Sequence, residues 1–156
     1  MSEFRFEKER VSATLTLATG TAVNGFFFVA AHTSTRDGRE RVGDVLNEQS
    51  GFFPFELRDG STVLYNRAHI VVVALEPGVS EAEHDPGYEV ATQRNVGMLL
   101  STGTRVEGTV AVYCAPGRDR LSDYARSAQA FRYLVTQKNT LIINAAHIVE
   151  LLELAD

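Results

Sequence analysis

The chain has a single cysteine, Cys114. One thiol cannot close an internal disulfide, so nothing in the sequence demands an oxidising compartment, and a small buried or half-buried thiol is the reading it supports. There is no surplus of basic charge either. Fifteen Lys and Arg stand against 20 Asp and Glu, a formal net charge of −5. That balance argues against non-specific nucleic-acid binding, which needs a basic face, although it leaves room for a local basic patch. No apolar run approaches the roughly 20 residues that span a bilayer, so no membrane association is expected. The N-terminal Met-Ser-Glu-Phe-Arg-Phe-Glu-Lys-Glu-Arg has no apolar centre and does not read as a signal peptide. The expectation is a cytoplasmic protein.

Chemistry-bearing motifs are missing too. The sequence has no Gly-rich phosphate loop, nucleophile elbow or zinc-protease helix motif. His32 and His84 stand alone, and neither His69 nor His147 has a second His or Cys at ligand spacing, whereas a structural zinc normally takes four ligands. Cys114 has no patterned base to activate it. No cofactor, metal or catalytic residue is expected, and the chain reads as a non-enzymatic one.

What the sequence does have is a repeat. Thr19-Gly20-Thr21-Ala22-Val23-Asn24-Gly25 returns as Thr102-Gly103-Thr104-Arg105-Val106-Glu107-Gly108. Arg39-Glu40-Arg41-Val42-Gly43-Asp44 returns as Arg118-Asp119-Arg120-Leu121-Ser122-Asp123, and Asn66-Arg67-Ala68-His69-Ile70-Val71 as Asn144-Ala145-Ala146-His147-Ile148-Val149. Order is kept while the offset drifts from 83 to 78, as short loop deletions produce. Between the copies, Pro77 to Gly87 is acidic and bounded by Pro-Gly pairs. It reads as a surface linker, with Glu81, Glu83 and Asp85 forming a solvated face. The expected layout is a first module over 1–76, a linker over 77–87 and a second module over 88–156.

Within a module the pattern is that of strands. Leu15 and Leu17 alternate with Thr14 and Thr16, a half-buried strand from Ala13 to Leu17. A turn at Thr19-Gly20 leads to a second strand, Thr21 to Ala31, in which Gly25 suggests a bulge or sharp bend, as Gly108 does in the second copy. Gly43 to Asn47 and Ser122 to Ala125 read as short helical turns, with Gly43 and Ser122 as acceptable caps and Asp44 and Asp123 suiting the helix dipole. A third strand, Phe52 to Leu57, turns at Asp59-Gly60 into a fourth, Thr62 to Tyr65. Asn66 then caps a turn that His69 closes, and a last strand runs from Ile70 to Leu75.

Strand, one short turn, then strand again, with no real loop, is how small barrels end. Here each module resembles the Sm-like and SH3-like fold over nearly its whole length. The Arg39 to Asn47 stretch also resembles an Arg-x-Arg-Val-x-Asp-x-Leu-Asn signature, ahead of an aromatic strand, found in a bacterial domain-of-unknown-function group. The resemblance implies an all-β chain of two tandem antiparallel barrels, each with a helical turn after its second strand. Sm proteins carry an RNA-pocket Asp six residues after the strand-2 glycine. Ala31 and Cys114 hold those positions here, and the insertion from His32 to Asn47 is foreign to them, so no RNA-binding residue is carried over.

Two sets of residues remain as candidates. Arg39 and Arg41 point the same way on an extended segment, as do Arg118 and Arg120. Either they grip a phosphate or carboxylate, or they clip the turn by pairing with Asp44 and Asp123. The first option carries the alternative function, RNA binding. Phe26, Phe28, Phe52 and Phe55 belong to strands that are apolar on both faces, where a small barrel needs one. The surplus packs module against module or forms a contact with another protein or a second copy. The leading expectation is a binding or assembly module that self-associates, a dimer before other states.

Overall fold

A computed structural model of the chain describes residues 8–31, 38–113, 120–127 and 129–155. The first half consists of β1 (Lys8–Leu17), β2 (Ala22–Ala30), α1 (Val42–Asn47), β3 (Phe52–Leu57), β4 (Thr62–Asn66), a 3-10 turn (Arg67–His69) and β5 (Ile70–Leu75). The second half repeats that order as β6 (Thr92–Leu100), β7 (Arg105–Val112), α2 (Leu121–Ala125), β8 (Phe131–Val135), β9 (Thr140–Asn144), a 3-10 turn (Ala145–His147) and β10 (Ile148–Glu153). No helix is long and apolar enough to cross a membrane among the described residues.

The repeat is visible in individual hydrogen bonds. The amide of Leu17 donates to Thr21 O and that of Ala18 to His69 O, and Leu100 and Ser101 do the same with Thr104 O and His147 O. Asn66 Oδ1 accepts from the amide of Ala68 at 3.0 Å, and Asn144 Oδ1 from that of Ala146 at 3.0 Å, so each Asn caps its 3-10 turn. Each helix is closed by a side chain from inside it. Asp44 reaches back to the amide of Arg41, and Asp123 to that of Arg120. The cap positions are thus the arginines, two residues before the expected Gly43 and Ser122.

All strand pairs are antiparallel, and they form one ten-stranded sheet in the order β10-β6-β7-β8-β9-β5-β1-β2-β3-β4. The sheet is continuous and does not close, in contrast to the expected pair of separate barrels. The joint is β5 against β9, with Val72 opposite Ile143, Val73 opposite Ile142 and Ala74 opposite Leu141. The cores interlock across it. Phe131 and Ile142 of the second half lie in the cluster of the first, with Phe27, Phe53, Phe55, Val42 and Leu46, while Val71 of the first half lies in the cluster of the second.

Alternate residues along the strands are buried, which gives each half an inside. Gly25 pairs with Ala13 in unbroken register, so it is no bulge. A Cβ there would stand 2.2 Å from Glu56 O, and one on Gly108 would stand 2.5 Å from Val135 O. Glycine lets the third strand of each half fold in close against the second.

Candidate functional site

The arginine pairs come first. Arg41 bonds Asp44 through two of its nitrogens, at 3.0 and 3.3 Å, and also reaches Asp85 and the Glu81 carbonyl. Its ring of partners includes the face of Tyr133, 5.5 Å away. Burial works against its charge, but the bonds to Asp44, the nearness of Tyr133 and the bond to Asp85 hold it fully protonated, above its ordinary value. Arg120 pairs with Asp123 at 3.6 Å and is otherwise exposed. Arg39 lies 3.6 Å from Glu9. Arg118, like His32, Cys114 and Asp119, lies outside the described residues. The repeated Arg-x-x-Asp spacing thus appears as an ion pair within each turn, and Arg41 is turned inward.

The linker departs from the sequence reading. Glu81 is 2% exposed, not part of a solvated face. Its carboxylate accepts from the amides of Val42 at 2.9 Å and Gly43 at 3.2 Å and from the hydroxyl of Tyr133 at 2.8 Å. These are the free N–H groups that open α1, so the linker supplies the acceptor that the helix lacks. Gly43 makes room for the phenol, because a Cβ there would stand 2.3 Å from Tyr133 Oη. Burial first, then the Glu81 carboxylate, push Tyr133 well above the ordinary phenol value. Linker, α1 and β8 are therefore joined in one buried polar knot.

Two further arginines were missed by comparing the copies position by position. Arg67 donates to Val45 O at 2.9 Å and Phe52 O at 2.7 Å. Arg132 donates to Tyr124 O at 2.8 Å, Ser127 O at 2.7 Å and Gln129 O at 2.9 Å. Val45 and Tyr124 are equivalent in the repeat, yet the guanidinium comes from a 3-10 turn in one half and from β8 in the other. The signal available in the sequence was an Arg amid apolar neighbours on a strand, at position 132.

The phenylalanines divide by strand alternation. Phe55 shows no exposure and stacks edge-on with Phe27 at 5.2 Å, so it is a core residue and not an interface residue. It sits two positions from Phe53, on the same inward face. Phe26 and Phe28 are half-buried on the outer face, Phe26 under the Arg10 guanidinium at 5.0 Å. Phe52 is 59% exposed. It shares the outer face of β3 and β4 with Pro54 and Leu64, because Phe52 stands opposite Asn66 and Pro54 opposite Leu64. Leu64 is 63% exposed, and on β10 Val149 and Leu152 are 62% and 42% exposed.

β4 and β10 are the two ends of the sheet, each paired on one side only. Unpaired edges present backbone donors and acceptors to any incoming strand, and apolar side chains beside them favour such pairing. A cleft of about 500 Å3 between the linker and the second half is lined by Tyr88, Tyr113, Tyr124, Arg126 and Tyr133 among others. Inside it the Tyr113 hydroxyl donates to Asp85 Oδ2 at 3.2 Å. The edges, with the apolar residues next to them, are the candidate functional surface. No protein-family model, no curated protein and no solved structure matches the chain.

Proposed function

We propose that the chain is a non-enzymatic assembly module that self-associates through the ends of its sheet. One observation carries the reading. Of the large apolar side chains that stand exposed, Phe52, Leu64, Val149 and Leu152 lie on or directly beside the two unpaired edges. Each edge exposes backbone groups and apolar area together, the combination that strand addition buries. The repeated strand order, five strands with a helix after the second, supports regarding each half as an Sm-like or SH3-like barrel left open where the halves join. The working state would be a cytoplasmic homo-oligomer.

The alternative, RNA binding through the paired arginines, is not carried forward, because Arg41 is taken up by Asp44, Asp85 and the linker carbonyl. Light scattering on the purified chain at rising micromolar concentration tests the proposal. The expected mass is a multiple of 17.1 kDa, and a mass that stays at 17.1 kDa throughout would end it.

A further inference from the structure

The joint inside the chain shows what the free edges lack. Residues of β9 and β5 at the joint have counterparts 78 positions away, on β4 and β10 respectively, as Asn66 and Asn144 show. Ile142 at the joint is fully buried, and its counterpart Leu64 is 63% exposed. Val71 is fully buried and its counterpart Val149 is 62% exposed. Phe131, on the strand next to β9, is 3% exposed, while its counterpart Phe52 is 59% exposed.

The receiving surface repeats the contrast. In the first half Val42, Ile70 and Val73 are fully buried, with Phe131 and Ile142 in the same cluster. Their counterparts Leu121, Ile148 and Leu151 are only half-buried. Polar groups follow suit. Asn144 Nδ2 crosses the joint to Ile70 O at 2.9 Å and Arg67 O at 3.3 Å, and His147 Nε2 bonds Ala68 O at 2.9 Å. Asn66 makes the same capping bond as Asn144, yet its Nδ2 bonds nothing among the described residues, and His69 is exposed.

We propose that β4 of one copy pairs antiparallel with β10 of a second copy, reproducing the β5–β9 joint between molecules. This rests on the self-association proposed above and specifies its partner, its polarity and its register. The joint's register carries over as Tyr65 opposite Glu150, Leu64 opposite Leu151 and Val63 opposite Leu152. Asn66 Nδ2 then donates to Ile148 O of the second copy, and Phe52 and Leu64 enter the pocket that Leu121, Ile148 and Leu151 leave half-covered. The contact is head-to-tail, because the two edges differ. It leaves one free edge at each end of a pair, so it propagates until a ring closes or a chain of copies grows.

Blocking one edge at a time tests this. Leu64→Lys closes the β4 edge and Leu152→Lys the β10 edge. Both residues are exposed, so in dilute solution the variants are expected to melt as the wild-type monomer does, and Val149→Lys serves as a second block of β10. In light scattering each variant alone is expected to run as a monomer. An equimolar mixture is expected to form a dimer and nothing larger, because the Leu152→Lys chain keeps its β4 and the Leu64→Lys chain keeps its β10. A wild-type chain that stays monomeric overturns both this pairing and the self-association. A wild-type oligomer that survives Leu152→Lys and Val149→Lys overturns the head-to-tail pairing alone, as a β4–β4 contact would give.

Discussion

Ile142 and Leu64 occupy the same place in the repeat and meet opposite fates. One fills the core at the joint between the halves, and the other faces outward at the end of the sheet. Asn144 and Asn66 differ in the same way, the first binding across the joint and the second only its own turn. A duplication of one strand-rich unit creates four edges, and folding the two copies together covers two of them. The lesson is that equivalent residues need not have equivalent stability roles. A side chain that holds the monomer together in one copy is free to hold an assembly together in the other.

The largest effect is expected at that pair. Ile142→Ala should cost about 2–5 kcal/mol in chemical denaturation, the usual cost of emptying a fully buried site. Leu64→Ala should change monomer stability by less than about 0.5 kcal/mol, as exposed positions do. Equal losses at both would erase the contrast between joint and edge.

The buried arginines come next. Arg67→Met should cost roughly 2–4 kcal/mol by leaving the carbonyls of Val45 and Phe52 without a donor. Arg132→Met should cost a similar amount through Tyr124 O, although the two arginines stand at unmatched places in the repeat. If only one matters, the two halves do not hold their helices in the same way.

A smaller effect separates the helix starts. Gly43→Ala should cost about 1–3 kcal/mol by overpacking against the Tyr133 hydroxyl. At its exposed counterpart Ser122, alanine should change stability by less than about 0.5 kcal/mol. Thermal melts of the two variants make the comparison.

Much of this architecture can be read from the amino acids. Strand limits such as Phe52–Leu57 and Ile70–Leu75, both helical turns and the Asn-capped 3-10 turns follow from local alternation, turn chemistry and the repeat itself. What local patterns do not hold is anything decided by distant partners. The single sheet depends on β5 meeting β9, residues some 70 positions apart, and neither strand announces its neighbour. Glu81 lies in an acidic, Pro-Gly-bounded segment that reads as solvated, and only the approach of α1 and Tyr133 makes it a buried acceptor. Arg67 and Arg132 escape a comparison of copies because the same carbonyl is reached from different positions. Phe55 is a different case, since strand alternation puts it on the face of Phe53 and opposite that of Phe52, and burial of that face shows it to be the inner one.

The smallest effect concerns the linker knot. Tyr133→Phe should cost about 1 kcal/mol through the lost bond to Glu81. The folded phenol holds its proton above its ordinary value, so the stability it contributes is complete below an unfolded pKa of about 10 and is lost as the pH rises beyond that. Denaturation at rising alkaline pH should show that decline in the wild type and a shallower one in Tyr133→Phe. Parallel curves would remove Tyr133 from the account.

Amide hydrogen exchange on the wild-type chain at low and at high micromolar concentration tests the contrast between joint and edges most directly. The amides of β5 and β9 at the joint should be protected at both concentrations. The outward amides of β4 and β10 should exchange fast in dilute solution and become protected together when the chain is concentrated. Edges that exchange equally fast at both concentrations, or a β10 that stays open while β4 closes, would contradict it.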